Sequence, residues 1–196
     1  MPGFRRDFSS DVLRPGTALR VSRVALFFSD LTGSTQLYSD VGDAAAFKLV
    51  QDHFDYVLAI TEKHGGTLVK TIGDAVMAVY ADEMDGVRAC LEILSGFAAF
   101  RKRAAVTGHT DVKLGLFSGP CYVVTANGVL DYFGQSVNIA ARLQSEARSG
   151  EVVLEAGFAD DAVAAGVLPE GWVRQRYQAA LKGVAQSIGA VRVKPE

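Results

Sequence analysis

The chain has 196 residues, of which 49% are hydrophobic, and its 20 Lys and Arg residues against 22 Asp and Glu residues give a net charge of −2. This composition excludes a disordered chain, and the lack of a Lys/Arg block argues against a nucleic-acid partner. No apolar run approaches the roughly 18 residues of a membrane span, and the N-terminus lacks the apolar core of a secretion signal. The two cysteines, Cys90 and Cys121, form no C-x-x-C pair. We therefore expect one cytoplasmic domain with two buried free thiols.

The first half of the chain contains one clear helix pattern and one clear hairpin pattern. Residues 1–21 are polar and are predicted to be a tail or linker, with the domain covering residues 22–196. Residues 24–29 form an apolar run typical of a buried strand, after which Ser34 or Thr35 is expected to cap a helix. Apolar residues at three- and four-residue spacing predict a helix over residues 43–63. Two β-type runs, TLVKTI and AVMAVY, flank Gly73-Asp74 and predict a hairpin.

The later elements complete an α+β pattern. In chain order they are a helix over residues 83–104, strand-like residues 112–126 interrupted near Gly119 and Pro120, a helix over residues 135–147, a strand over residues 151–154, and a strand pair over residues 177–181 and 188–193. This order predicts a ferredoxin-like core with a mostly antiparallel sheet and with the helices on one face. The histidines at 53, 64 and 109 are scattered and are expected to be surface residues.

Polar residues at the ends of these elements are candidates for chemistry. Asp30 follows the strand and precedes a small-residue turn, an arrangement that can bind a divalent cation through the carboxylate and phosphate through backbone N–H groups. Asp74 lies at the hairpin tip, and each aspartate taken alone is better explained as a simple turn residue. Lys70 lies inside an apolar strand, so its ammonium must reach solvent or meet a partner.

A third polar cluster begins at Asp131 and continues into a helix. Asn138 and Arg142 are four residues apart, so they share one face of that helix. Together they can orient a sugar and hold a phosphate, although a solvated polar face explains the same spacing equally well.

Four ordered segments together resemble a known family. FFSDLTGST, VKTIGDAVMAVY, LDYFGQSVNIAARL and ALKGVAQSIGAVRV are similar to segments of the class III nucleotidyl cyclase catalytic domain, which includes adenylate and guanylate cyclases. The resemblance covers roughly residues 22–193, which agrees with one domain.

The resemblance implies a role for each candidate residue. Asp30 and Asp74 match the two aspartates that hold two Mg²⁺ or Mn²⁺ ions. Asn138 is expected to orient the ribose, and Arg142 to stabilise the transition state. The implied substrate-binding residues are Lys70, Asp131, Lys182, Thr32, Gly33, Ser34 and Thr35. In this family the site lies between two chains, so a homodimer would have two composite sites.

The implied reaction is attack of the ribose 3′-hydroxyl of ATP on the α-phosphorus, which forms cyclic AMP and releases pyrophosphate. Lys70 can donate to N1 of adenine and Asp131 can accept from its N6 amino group, whereas guanine presents the opposite edge. We therefore predict an adenylate cyclase; the alternatives are a guanylate cyclase and a catalytically silent nucleotide-binding or dimerisation module. A regulator could be an upstream domain or a separate protein.

Overall fold

The structure is a computed structural model that describes residues 18–104, 110–126 and 129–196. Within these residues one eight-stranded sheet carries five helices. The strands are β1 (Ala18–Leu31), β2 (Thr67–Ile72), β3 (Ala75–Tyr80), β4 (Val112–Ala126), β5 (Val129–Phe133), β6 (Glu151–Glu155), β7 (Val173–Ala179) and β8 (Ile188–Lys194). The helices are α1 (Ser34–Val41), α2 (Asp43–Lys63), α3 (Glu83–Arg103), α4 (Gln135–Glu146) and α5 (Ala156–Ala164).

The strand order in the sheet is β2-β3-β1-β4-β6-β8-β7, with β5 paired to β4 outside this path. Every pairing is antiparallel except that of β4 with β6. This architecture confirms the predicted α+β fold with a mostly antiparallel sheet. The β1 strand begins at Ala18, before the predicted domain start at residue 22, while the prediction for residues 1–17 lies outside the described residues.

The helices pack on both faces of the sheet, so the prediction of a single helical face is wrong. Alternate β1 side chains such as Phe27 lie in the larger core with α2, α3 and α5. The neighbouring side chains, such as Leu26, face the opposite way and pack with Ala140 of α4. Successive side chains of a strand point to opposite faces of the sheet, so β1 contributes to both cores. All six residues from Val24 to Ser29 are buried because both faces of the sheet are covered at this strand.

Local sequence explains most of the element boundaries. Asp82 caps α3 by accepting hydrogen bonds from the backbone N–H groups of Met84 and Asp85. The predicted side-chain cap on α1 is wrong, because its N-cap is Gly33 in the left-handed region at φ 72° with no side-chain hydrogen bond. The predicted break near Pro120 is also wrong. Strand β4 continues through it, and the register shift lies in β1 between Val21 and Val24.

None of the helices in the described ranges is long and apolar enough to cross a membrane. Both cysteines are buried free thiols, as expected.

Candidate functional site

The first part of the site lies where β1 ends beside the β2–β3 hairpin. Strand β1 pairs with β3 as far as Ser29 and Val76. Asp30 is the next residue along β1, and Asp74 is two residues before Val76 at the hairpin tip. Antiparallel pairing therefore brings the two predicted metal-binding aspartates to the same end of neighbouring strands.

The Asp30 carboxylate has two neighbouring polar groups in its own chain. The Lys113 ammonium lies 3.3 Å from Asp30 Oδ2, and Gln144 Nε2 donates to the same oxygen at 3.4 Å. Burial is the main cause that raises the pKa of Asp30, and the negative charge of Asp74 raises it further, while Lys113 acts in the opposite direction. The positive charge of one lysine thus only partly compensates the negative charge of a partly buried carboxylate that lies beside a second carboxylate.

Asp74 provides a direct test of whether a cation suits this place. Its Oδ2 is buried and has no hydrogen-bond partner among the described residues. A buried carboxylate oxygen without a partner is costly, and a hard divalent cation would satisfy it. The described residues contain no group of three or more Asp, Glu, His or Cys side chains placed to hold a metal. Two carboxylates alone leave coordination positions for phosphate oxygens, so the pair fits a metal that binds together with a nucleotide.

The loop after Asp30 is tied to the sheet by Thr32. The Thr32 backbone N–H donates to the Asp111 carbonyl at 2.7 Å, and the Thr32 hydroxyl accepts from the Asp111 N–H at 2.9 Å. Gly33 supplies the left-handed turn into α1, and Ser34 lines a surface pocket that also contains Asp74. These contacts place the predicted phosphate loop beside the aspartates, while the side chain of Thr35 lies outside the described part of the structure.

The second part of the site is an ion pair between β2 and β5. Lys70 Nζ lies 2.8 Å and 2.7 Å from the two carboxylate oxygens of Asp131. The Lys70 side chain is 40% exposed and that of Asp131 is 20% exposed. Two residues that are 61 positions apart in sequence therefore form one polar pair that still faces solvent. The prediction that Lys70 must reach solvent or meet a partner is confirmed on both counts.

Backbone irregularities hold this pair in position. A β-bulge in β2 between Leu68 and Lys70 shifts the register against β3, and bulges re-aim the side chains next to them. The Tyr132 N–H donates to Asp131 Oδ1 at 2.8 Å, which fixes the carboxylate, and the Lys70 ammonium lies 5.8 Å from the centre of the Phe133 ring. The pair is thus built with a defined orientation.

The third part of the site is the exposed face of α4. Asn138 and Arg142 lie on this face, and their side chains make no hydrogen bond or ion pair within the described residues. Helical geometry turns Arg142 by about 200° from Gln144, so Arg142 points away from the Asp30 of its own chain. Lys182 is exposed in the segment between β7 and β8. The structure therefore does not bring these three residues onto the aspartates of the same chain.

Sequence reasoning missed two polar neighbours of Asp30. Lys113 carried a readable signal, because it stands in an apolar strand as Lys70 does. Gln144 carried none, since a glutamine near a helix end is usually exposed, yet here it is only 7% exposed. The expectation that the histidines lie at the surface is wrong for His53, which is fully buried. His64 is partly buried and bonds Glu92, and His109 lies outside the described residues.

Comparison with known proteins identifies the class of protein to which the chain belongs. The family model described as the adenylate and guanylate cyclase catalytic domain matches residues 17–160. An uncharacterised protein of Mycobacterium tuberculosis is 36% identical over 133 residues, which is 68% of this chain and 32% of that protein. Human retinal guanylyl cyclase 1 is 29% identical over 150 residues, covering 69% of this chain and 14% of the relative. The chain thus spans about a third or less of the curated relatives it matches.

Solved structures share the fold. The adenylyl cyclase CyaB from P. aeruginosa superposes with a TM-score of 0.75 at 22% identity, covering 92% of this chain and 97% of that one. The catalytic core of a rhodopsin-guanylyl cyclase with converted specificity, solved in complex with ATPαS, gives a TM-score of 0.76 at 24% identity over 91% of this chain and 99% of that one. This chain belongs to the adenylate and guanylate cyclase catalytic domain family.

Proposed function

We propose that the chain is the catalytic domain of an adenylate cyclase, which converts ATP to 3′,5′-cyclic AMP and pyrophosphate between two copies of itself. The observation that carries the choice of adenine is the ion pair of Lys70 with Asp131, at 2.7 Å. An ammonium has three donors and a carboxylate has about four acceptor positions, so the pair keeps free groups toward the solvent side. Lys70 donates to N1 of adenine, and Asp131 accepts from its N6 amino group.

The same pair disfavours guanine. Guanine presents a donor at N1 and an acceptor at O6, which leaves Lys70 facing a donor and Asp131 facing an acceptor. Partly buried polar groups that face the wrong partner discriminate strongly between substrates. A guanylate cyclase is therefore the second candidate, and the relatives of both kinds make it the natural comparison in the assay.

Asp30 and Asp74 would hold two Mg²⁺ or Mn²⁺ ions. The unpartnered Oδ2 of Asp74 and the raised pKa of Asp30, which burial and the Asp74 charge cause, both favour a cation between them. When bound, such ions would lower the pKa of the attacking 3′-hydroxyl and neutralise the triphosphate. The loop of Thr32, Gly33, Ser34 and Thr35 lies beside them for phosphate oxygens, and Lys113 carries a further positive charge at 3.3 Å from Asp30.

A second copy of the chain would complete the site. Arg142 and Asn138 face away from the aspartates of their own chain, so in a head-to-tail dimer they reach those of the partner. Asn138 would orient the ribose, and Lys182 would contact the terminal phosphates. Arg142 would stabilise charge on the equatorial oxygens at the α-phosphorus, a contribution of about 3–4 kcal/mol by analogy with one oxyanion donor. Holding the 3′-hydroxyl close to phosphorus supplies the remainder.

The direct test is a cyclase assay with ATP or GTP and Mn²⁺ over a range of subunit concentrations. We expect cyclic AMP, with a specific activity that rises with concentration because the active species is a dimer. Asp74→Ala and Arg142→Ala should each lower turnover at least a hundredfold without loss of folding. Cyclic GMP as the main product would favour the guanylate cyclase, and no product from a folded dimer would favour a silent module.

The shared geometry has its own test. Mixing inactive Asp74→Ala with inactive Arg142→Ala should restore activity, because a mixed dimer keeps one site with both aspartates and the arginine intact. Absence of rescue in proven mixed dimers would refute the composite site. For the base, Lys70→Glu combined with a smaller residue at Asp131 should weaken the preference for ATP, and an unchanged ATP/GTP ratio would show that other residues read the base.

A further inference from the structure

Gln144 connects the catalytic helix to the metal-binding strand of its own chain. Its side chain is nearly buried, and its amide Nε2 donates to Asp30 Oδ2 at 3.4 Å. Lys113 approaches the same oxygen at 3.3 Å. Asp30 Oδ2 therefore cannot ligate a cation and keep both of these contacts unchanged. A cation bound to this oxygen would repel both the Lys113 ammonium and the positive end of the Gln144 amide dipole, so the Gln144 contact would lengthen or break together with that of Lys113.

Helix α4 has little freedom to absorb that movement locally. A Cβ atom on Gly115 of β4 would lie 2.6 Å from Gln144 Cα, so the helix backbone rests directly on the strand. Four residues further along β4, a Cβ on Gly119 would lie 2.6 Å from Ser136 Oγ. The Ser136 hydroxyl donates to the Pro120 carbonyl at 2.7 Å. The α4 backbone thus rests on β4 near Gln144, and the Ser136 side chain rests on β4 near the start of the helix. Closely packed elements move as rigid units rather than deforming residue by residue.

The opposite side of this helix serves the other site. Arg142 lies about 200° around α4 from Gln144, and Asn138 lies on the same face as Arg142. Under the proposed function, on which this step rests, these two residues act at the composite site whose aspartates belong to the partner. Each copy of α4 therefore touches one site through Gln144 and the second site through Arg142.

We infer that Gln144 is a positioning residue that couples the two composite sites of the dimer. Cation binding through Asp30 Oδ2 in one site displaces the Gln144 amide, and α4 carries the displacement to Arg142 in the other site. The coupling needs no contact between the two bound nucleotides. It acts through one hydrogen bond and one helix. Helix α4 would thus have two positions, and the occupancy of each site would influence which of them it adopts.

The first experiment measures α4 directly and does not depend on catalysis. Hydrogen–deuterium exchange of the α4 amides is followed with and without Mn²⁺ in the wild type, in Gln144→Met and in Ser145→Ala. Met keeps the length and helix propensity of Gln but cannot donate to Asp30, and Ser145 is an exposed neighbour on the same helix. We expect Mn²⁺ to change α4 exchange in the wild type and Ser145→Ala, and this response to be lost in Gln144→Met. An equal response in all three proteins would overturn the inference.

The second experiment separates a local effect from coupling. In a purified mixed dimer of one wild-type chain and one Arg142→Ala chain, the live site takes its aspartates from the Arg142→Ala chain and its arginine from the wild-type chain, whose own aspartates remain able to bind Mn²⁺ in the inactive site. Gln144→Met is then placed only on the chain that is otherwise wild type, where it cannot touch the live aspartates. Coupling predicts that kcat of the live site falls about tenfold while KM for ATP stays nearly constant, a change equal to the loss of one charge-assisted hydrogen bond.

The outcomes are distinct. Unchanged kcat shows that Gln144 acts only on its own Asp30 and overturns the coupling. Loss of all activity in the parent mixed dimer would instead refute the proposed function and with it the coupling of composite sites, and the exchange experiment would then test only whether Gln144 carries the response of α4 to Mn²⁺. If Gln144→Met does not fold, Gln144→Asn replaces it in both experiments, because the shorter amide also fails to reach Asp30.

Discussion

His53 gives the sharpest prediction about stability because it is a buried base with no polar partner. The residue is fully buried on α2, its two ring nitrogens have no hydrogen-bond partner among the described residues, and its ring centre lies 6.0 Å from that of Phe54 and 6.4 Å from that of Phe97. Burial lowers the pKa of His53 from 6.5 to about 4, although the charge of Asp74 acts in the opposite direction. The imidazole is therefore neutral in the folded protein at pH 7.

The sign and size of the pH effect follow from this shift. Between pH 6.5 and pH 4 the unfolded chain binds a proton at His53 that the folded chain does not, so the free energy of unfolding falls as the pH falls. Lowering the pH from 7 to 5 should remove about 2 kcal/mol of stability through this residue. Replacing His53 by Leu, which has similar volume and no polar atom, should remove this loss and leave the stability at pH 7 nearly unchanged.

The measurement is urea unfolding at pH 7 and pH 5 at one fixed subunit concentration. We expect the wild type to lose about 2 kcal/mol more than His53→Leu between the two values. His64→Gln serves as the control, because it removes a histidine that already bonds Glu92 at 2.7 Å and keeps the buried imidazole. Equal losses in the wild type and His53→Leu would refute the argument that this buried ring resists protonation.

Two further predictions concern the packing of α4 on β4 and the contacts of Arg192 on β8. Gly115→Ala should lower stability by about 1–3 kcal/mol, since its new Cβ would overlap the backbone of Gln144; thermal unfolding measures this, and an unchanged melting temperature would contradict the close packing. Arg192→Met should cost about 3 kcal/mol, because Arg192 stacks on Tyr177 at 3.8 Å and lies 3.7 Å from the buried Glu151. Arg192→Lys should recover part of that loss in urea unfolding, and no difference between the two variants would show that the charge contributes nothing.

The long amphipathic elements were predictable from the sequence. The structure confirms the helix over Asp43–Lys63 and the hairpin strands Thr67–Ile72 and Ala75–Tyr80 with the predicted bounds. These segments have strong periodicity and clear stop residues, so local preference and tertiary packing agree. The closing pair β7 and β8 was also predicted, although β7 begins at Val173, four residues before the expected start.

The elements that were missed have weak local patterns. Strand β5 contains Asp131 in its middle, and its existence depends on pairing with β4 rather than on alternation. Helix α5 has the sequence AGFADDAVA, in which an early glycine and nine residues give little helical signal; Glu155 stabilises it by accepting from the N–H groups of Gly157 and Phe158. Tertiary contacts decide both elements, and a single sequence does not show such contacts.

In the candidate site, the sequence likewise identified individual residues but not the tertiary contacts between them. Asp30, Asp74, Lys70 and Asp131 could be named because they stand at element ends or inside apolar strands, and the roles implied by the resemblance remain predictions. The contact of Lys70 with Asp131 could not be derived from spacing, because it requires a β-bulge in β2 and the off-path strand β5. Gln144 could not be found at all, since its burial comes from the tertiary packing of α4, which approaches Gly115 of β4 closely.

The bridge between β2 and β5 also constrains how such a domain can change during evolution. Lys70 and Asp131 are 61 positions apart in the sequence, so exchanging the pair requires two separate mutations. Replacing either one alone leaves an opposite charge half-buried without its counterpart, which destabilises the intermediate protein. Lineages are therefore expected to hold one matched pair for long periods and to exchange both residues together, with few mixed combinations surviving between them.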